Sequence, residues 1–592
     1  MTRINLTAGG VQLSLLFLSP ITPSDYVRQS LPYSYLDVEV HSLDGGSHDV
    51  QLYSDISAEW ACGDWSREVT WATSTLGDNV VHQFELATPD VFGEVQDFAL
   101  WGQTVYATAQ SDALTTQSGP ATDVRALFVS QGALDDSQDS AFRAISDNTP
   151  VLAFAHALGT VAPGASGSVR YVVGHFLEPA FSYTAVATNN SDRSLYFMAQ
   201  YPTLESSLSF FMTDYEYALQ QSRQFDLALD VAATGLANSE YSSVVALVAR
   251  QVYTGLSITI GRDASGELDT GDIMVFVKEI STSNYVNTVD ILYPTHWMFL
   301  YLDPPTVRHM LEPVLRYSET IDLDWGVHDI GRAWPVADGA VLDSPYYIEE
   351  SGNLIFMTLA YTRASGDTAF ASEYYDLLVR YGNWLTDNTI FPASQASTDD
   401  FNGEVANATN LVAKGIVGLG ALGELATVLG NTDDAARFNQ TATTLAGEFL
   451  EYGLSTDGSH FKVTYDMDDS SWATVYNLYP DRFFSLGLFD DELHDTLGAW
   501  YESQANEYGV PLDSRHDYAK LDWAMLMAAS YKDTPAVRDA FLGGVHDYLA
   551  YGATPQAAPD LYDTLNASAL PFVDRPVVGA VFALLAQNTS WK

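Results

Sequence analysis

Cysteine is almost absent from this 592-residue chain, where Cys62 stands alone. That excludes an internal disulfide and any metal site built from several thiolates. Basic residues are scarce too: Lys and Arg number 26 against 76 Asp and Glu, a formal net charge of −50. Nucleic acid and anionic membrane would both repel such a chain, so neither is expected as a partner. The few lysines (Lys278, Lys414, Lys462, Lys520, Lys532 and Lys592) therefore stand out wherever they neighbour a motif. No apolar run reaches the roughly 18 residues of a membrane span. The stretch Val11–Leu18 is apolar but short, has little basic lead and runs into Ser19-Pro20-Ile21-Thr22-Pro23, so it does not read as a signal peptide.

Apolar content is ample. Hydrophobic residues make up 47% and aromatics 12%, enough for large cores, and the length exceeds what one core supports. Residues 1–204 carry period-two alternation, as in Tyr35–Val40, His48–Tyr53 and Val169–His175, with turn clusters such as Asp44-Gly45-Gly46 between them. That pattern predicts an antiparallel β-sandwich with Trp60, Trp65, Trp71 and Trp101 in its core. From 205 to 592 the period becomes helical, over 208–230, 239–257, 304–318, 348–364, 367–387, 407–429, 432–452, 488–505, 517–532, 534–549 and 575–587. A β-like interruption falls at 273–279. No fixed-length repeat links these helices, which favours a closed toroid of helical hairpins over a solenoid.

Charge clusters are concentrated near helix starts. The densest runs from Asp513 through Ser514, Arg515, His516, Asp517 and Lys520 to Asp522. Others are His328-Asp329-Ile330-Gly331-Arg332, Glu349-Glu350-Ser351-Gly352-Asn353, Ser397-Thr398-Asp399-Asp400-Phe401, and Trp472 with Tyr476-Asn477-Leu478-Tyr479. Carboxylates favour helix N-termini without any chemistry, and Asp329 with Arg332 reads equally well as an ion pair. As a set, however, these loops predict one rim where a site is built. Cys62, in the β region, lies away from them.

Taken with Leu18-Ser19-Pro20-Ile21-Thr22-Pro23, Gly509-Val510-Pro511-Leu512-Asp513-Ser514-Arg515 and Arg575-Pro576-Val577-Val578-Gly579, these motifs resemble the fungal glutaminase A family almost from end to end. The resemblance implies a six-hairpin (α/α)6 toroid after the sandwich. It also implies a secreted amidohydrolase converting L-glutamine to L-glutamate and ammonia. Ala519 and Leu521 dilute the last charged motif relative to the family pattern.

Amide hydrolysis needs an activated nucleophile, an oxyanion partner and a proton for ammonia. Glu350, Asp400, Asp513 and His516 are the candidates for acid–base work, with water activated by a carboxylate preferred over a Ser514–His516 pair. Arg515 is expected to clamp the substrate carboxylate and Asp399 or Asp400 its ammonium. Asn353 and Asn410 are candidate oxyanion donors, Trp472 an apolar wall, and Lys520 a depressor of a neighbouring carboxylate pKa. Asp329, Lys414 and Asp522 complete the expected binding set. No cofactor or metal is assigned, and Asp466, Asp468 and Asp469 read as a solvated loop rather than a calcium site. The acidity and six sequons (Asn5, Asn189, Asn407, Asn439, Asn566 and Asn588) lead to an expectation of secretion, N-glycans and salt tolerance. Paired carboxylates in an aromatic-lined toroid are also the equipment of an inverting glycoside hydrolase, the alternative reading.

Overall fold

The computed structural model describes residues 1–187, 191–397 and 403–589. Two compact units interleave along the chain. One comprises Met1–Ser182, Asn189–Asp226 and Ile258–Ile273; the other comprises Tyr183–Thr188, Leu227–Ser257 and Met274–Lys592.

In the first unit, alternation becomes antiparallel sheet. An eight-stranded sheet runs, in spatial order, Thr2–Ala8, Val11–Leu18, Tyr33–Ser42, Ser166–Phe176, Gln103–Ala109, Asn79–Leu86, Glu68–Leu76 and Arg143–Ala144. A three-stranded sheet orders Leu114–Pro120, Pro150–Val161 and His48–Ser57. Ile56, Leu152 and Phe154 of the smaller sheet share one buried cluster with Val38, Trp71, Phe84, Tyr106 and Tyr171 of the larger, which makes a sandwich. Trp71 and Trp101 are buried as expected, but Trp60 and Trp65 are each 51% exposed.

The sequence reading divides the chain once, at 204/205. The packing instead adds helix Leu204–Thr213 and the start of Tyr215–Leu236 to the β unit. Leu208, Phe211 and Tyr215 sit in one buried cluster with Leu18, Tyr35, Val105 and Val172. Tyr35 stacks on Phe211 with ring centroids 4.0 Å apart and donates its hydroxyl to Phe211 O at 2.5 Å.

The second unit alternates two kinds of helix. Val289–Leu302, Tyr347–Ser365, Thr409–Leu429, the segment Tyr476–Phe484, Leu521–Ser530 and the segment Pro576–Gln587 are buried nearly all round. Ser239–Thr254, Pro304–Glu319, Tyr375–Asn388, Thr432–Gly453, Asp491–Ser503 and Pro535–Tyr551 bury one face only. Helices apolar on every side belong inside, and amphipathic ones outside, so this is a ring of inner and outer helices. Thr409–Leu429 is long and apolar enough to span a membrane by composition, yet 83% of its most apolar window is buried. Gly352 lets two inner helices approach, since a Cβ there would stand 2.7 Å from Lys414 Cγ.

Burial pushes three histidines of the β unit, His82, His156 and His175, down to about 4. His82 stacks on Phe154 and its Nε2 lies 3.0 Å from Ala153 O. Each is neutral when folded and takes up a proton on unfolding once the pH is below about 6.5. Their contribution is therefore fully present above pH 6.5 and is lost as pH falls toward 4. Urea denaturation followed at several pH values is expected to show this loss, with a shallower slope in His82→Gln; an unchanged slope would contradict it.

Candidate active site

Each inner helix or segment carries a polar residue at or near its N-terminal end: Asp290, Glu350, Asn410, Asn477, Asp522 and, immediately before Pro576, Arg575. These ends are linked. Asn477 donates to Asn410 O at 3.0 Å, and the charge of Asp290 bears on both Glu350 and Arg575. Helix N-terminal ends offer unpaired backbone N–H groups and dipole charge that favour carboxylates there.

Asp290, His328 and Glu350 form one group, each offering one ligand-type atom within 4.8 Å of the others. The loop carrying His328 is pinned to two inner helices. Val289 N–H donates to His328 O at 2.7 Å, and Gly326 N–H donates to Ser351 Oγ at 3.0 Å. A Cβ on Gly326 would meet the Glu350 carbonyl carbon at 2.8 Å, so only glycine permits this approach. His328 Nδ1 lies 3.0 Å from Asp329 Oδ2, which turns Nε2 toward Asp290, 3.9 Å away. Burial opposes a charge on His328, but the hydrogen bond to Asp329 and the charges of Asp290, Asp329 and Glu279 outweigh it and raise its pKa.

Glu350 is fully buried. Burial first, then the charges of Asp290 and Glu349, push its carboxyl well above the usual range. Asn353 donates to Glu350 Oε2 at 3.1 Å, while Oε1 has no hydrogen-bond partner among the described residues. Glu350 thus has one carboxyl oxygen held by Asn353 and the other without a hydrogen-bond partner among the described residues.

Lysines hold the remaining charge. Lys414, completely buried, reaches Glu349 Oε1 at 2.9 Å and Asn353 Oδ1 at 2.7 Å, with its ammonium 4.0 Å from the Tyr293 ring centroid. Lys520 lies 2.6 Å from Asp522 and 3.4 Å from Asp560, whose other cationic neighbour is Arg575 at 3.9 Å. The Asp522 carboxyl is raised by burial and by Asp560, against the pull of Lys520. Neither oxygen of Asp560 has a hydrogen-bond partner among the described residues.

The structure thus joins Glu350, Asn353 and Lys414 with Glu349, and links Asp329 to the group through His328. It also gathers Lys520 and Asp522. Asp329 is an ion-pair partner of Arg332, with Nε to Oδ2 at 3.2 Å, as well as the anchor of His328. Elsewhere the expected roles meet other partners. Arg515, read as a substrate clamp, grips Asp513 through Nε and Nη2 (2.5–3.1 Å), and its own N–H adds a bond at 2.7 Å. His516 is exposed and stacks on Tyr518 at 4.8 Å. Ser514 Oγ accepts the Trp472 N–H at 3.0 Å, and Trp472 itself is buried. Asn410 donates to Thr474 O at 2.9 Å. Asp399 and Asp400 lie outside the described residues.

Sequence reading passed over Asp290, Glu279, Asp560 and Arg575 as site residues, and quoted His328 only as part of a motif. A signal existed for one of them: Asp290 is the single charge between Val286 and Leu302, in a run otherwise dominated by apolar and aromatic residues.

An antiparallel β unit paired with a ring of helical hairpins, holding buried carboxyls and an imidazole at its inner helix ends, defines a two-unit protein of the hairpin-toroid class. Residues 238–585 match the glutaminase A six helical-hairpin domain, and residues 1–231 match a domain of unknown function (DUF5127). Glutaminase A of Aspergillus oryzae is 35% identical over 585 residues, covering 97% of this chain and 83% of that protein. A probable glutaminase of Arthroderma benhamiae is 27% identical, covering 98% and 77%. Among solved structures, a bacterial glucoamylase complexed with acarbose is similar in fold, with TM-score 0.54 and 10% identity, over 98% of this chain and 82% of that one. The chain belongs to the glutaminase A family. On that membership it is a hydrolase.

The buried Lys414–Glu349 pair generates a stability prediction. Lys414→Met leaves Glu349 charged and unpaired, at an expected cost of about 3–5 kcal/mol. Denaturant unfolding should show that loss, and the double variant Lys414→Met/Glu349→Gln should recover much of it. A double variant as unstable as the sum of two damaging single variants would contradict the pairing.

Proposed function

We propose that the chain hydrolyses the side-chain amide of L-glutamine to L-glutamate and ammonia at the Asp290–His328–Glu350 group. Family membership and the 35% identical glutaminase A support the substrate. The observation that carries the chemistry is Glu350, a fully buried carboxyl grouped with Asp290 and His328, its Oε1 without a hydrogen-bond partner among the described residues and its pKa pushed up by burial and by Asp290.

The roles follow from those states. Asp290, near a helix N-terminus that favours its charge, takes a proton from water as the water oxygen bonds to the amide carbon. His328, made cationic by its carboxylate neighbours, stabilises the oxyanion. As the carbon–nitrogen bond breaks, Glu350 gives its proton to ammonia, and the proton held by Asp290 restores the starting state. Arg575 faces the substrate α-carboxylate, and Asp560 its α-ammonium. These two take the recognition roles that the sequence reading gave to Arg515 and Asp399. Secretion and N-glycosylation belong to the same proposal, supported by the net charge of −50 and by exposed Asn5, Asn439, Asn566 and Asn588.

Ammonia release from L-glutamine, with L-asparagine and aryl glycosides run beside it, tests the reading. Glutamine is expected to be turned over and the glycosides left intact. Glu350→Gln and Asp290→Asn should each lower kcat about 10²–10⁴-fold with an unchanged circular dichroism spectrum. Wild-type rates in both variants would refute the site, and glycoside cleavage without glutamine turnover would refute the substrate.

A further inference from the structure

We propose that Asp290, His328 and Glu350 also form a binding site for one divalent transition-metal ion, a centre the sequence reading did not assign. Three independent features support it. The three ligand-type atoms already lie within 4.8 Å of one another, and Asp290 Oδ1 is 3.9 Å from His328 Nε2. Ligands about 2.1 Å from a tetrahedral ion stand about 3.4 Å apart, so only a modest contraction closes the site.

The second feature is the support behind each ligand. Asp329 fixes His328 through Nδ1, and Asp329 is itself held by Gly331 N–H at 3.1 Å and Arg332 Nε at 3.2 Å. A carboxylate behind the far nitrogen of an imidazole is the usual support of a metal-ligating histidine. Asn353 fixes Glu350 in the same manner, donating to Oε2 while Lys414 holds the Asn353 oxygen. The third feature is Glu350 Oε1, buried and without a hydrogen-bond partner among the described residues. One imidazole and two carboxylates favour zinc, cobalt or manganese over magnesium or calcium, which prefer oxygen alone.

The test is calorimetric titration of Zn²⁺ into the chelator-treated full-length protein, with Co²⁺ absorption as a second probe. One Zn²⁺ per chain is expected at micromolar affinity or tighter. His328→Gln and Asp290→Asn should each weaken it at least 100-fold, Asp329→Asn about 10–100-fold, and the surface variant His41→Gln not at all. If His328→Gln fails to fold by circular dichroism, Glu350→Gln takes its place. Absence of binding to the wild type, or equal binding in the wild type and the ligand variants, overturns the site. One consequence rests on the proposed function: an ion held by Glu350 Oε1 occupies the group which that function uses as proton donor, so loaded protein should hydrolyse glutamine more slowly. Faster turnover on loading would keep the metal site and overturn the role of Glu350 as proton donor.

Discussion

The helical unit is organised around the cost of burying charge. An isolated ion moved into an apolar interior loses several kcal/mol even after relaxation, so each must find a counter-charge or give up its own. Lys414 answers Glu349, and Lys520 with Arg575 answers Asp522 and Asp560. Burial opposes a charge on His328, but the hydrogen bond to Asp329 and the charges of Asp290 and Asp329 raise its pKa. Among the described residues no lysine or arginine is ion-paired with Glu350, and burial with the charges of Asp290 and Glu349 pushes its carboxyl well above the usual range.

The same architecture explains why these groups meet. Inner helices that are apolar nearly all round place several of their charged and amide side chains in the first turn, where backbone N–H groups are unpaired. Asp290, Glu350, Asn410 and Asp522 all occupy the first turn of such a helix. The scaffold does not choose the bond to be broken, as the fold likeness to a glucoamylase illustrates. That choice rests with the side chains at the ends.

Much of the fold was legible. Period-two alternation marked the sandwich strands, and amphipathic period marked the outer helices. Gly430 ends Thr409–Leu429 at φ 80°, with its N–H bonded back into the last turn. The helix Val289–Leu302 was missed because every side is buried, which removes the period, and because Pro294 interrupts it. Missing that helix hid Asp290. The stretch read as helix over 517–532 begins instead as the strand Tyr518–Lys520, paired with Leu561–Asp563. That pairing carries Lys520 toward Asp560, some forty residues further along the chain. Within the site, charge density drew attention to Asp513, Arg515 and His516, but adjacent opposite charges satisfied one another at the surface side of a turn. Lone charges in apolar surroundings, such as Asp290, are a second signal that charge density does not capture.

The most direct test is a crystal structure with the product L-glutamate bound. The account predicts the γ-carboxylate against Glu350, Asp290 and His328, with the α-carboxylate on Arg575 and the α-ammonium toward Asp560. Glutamate seated instead on Arg515, or away from the inner helix ends, would contradict it.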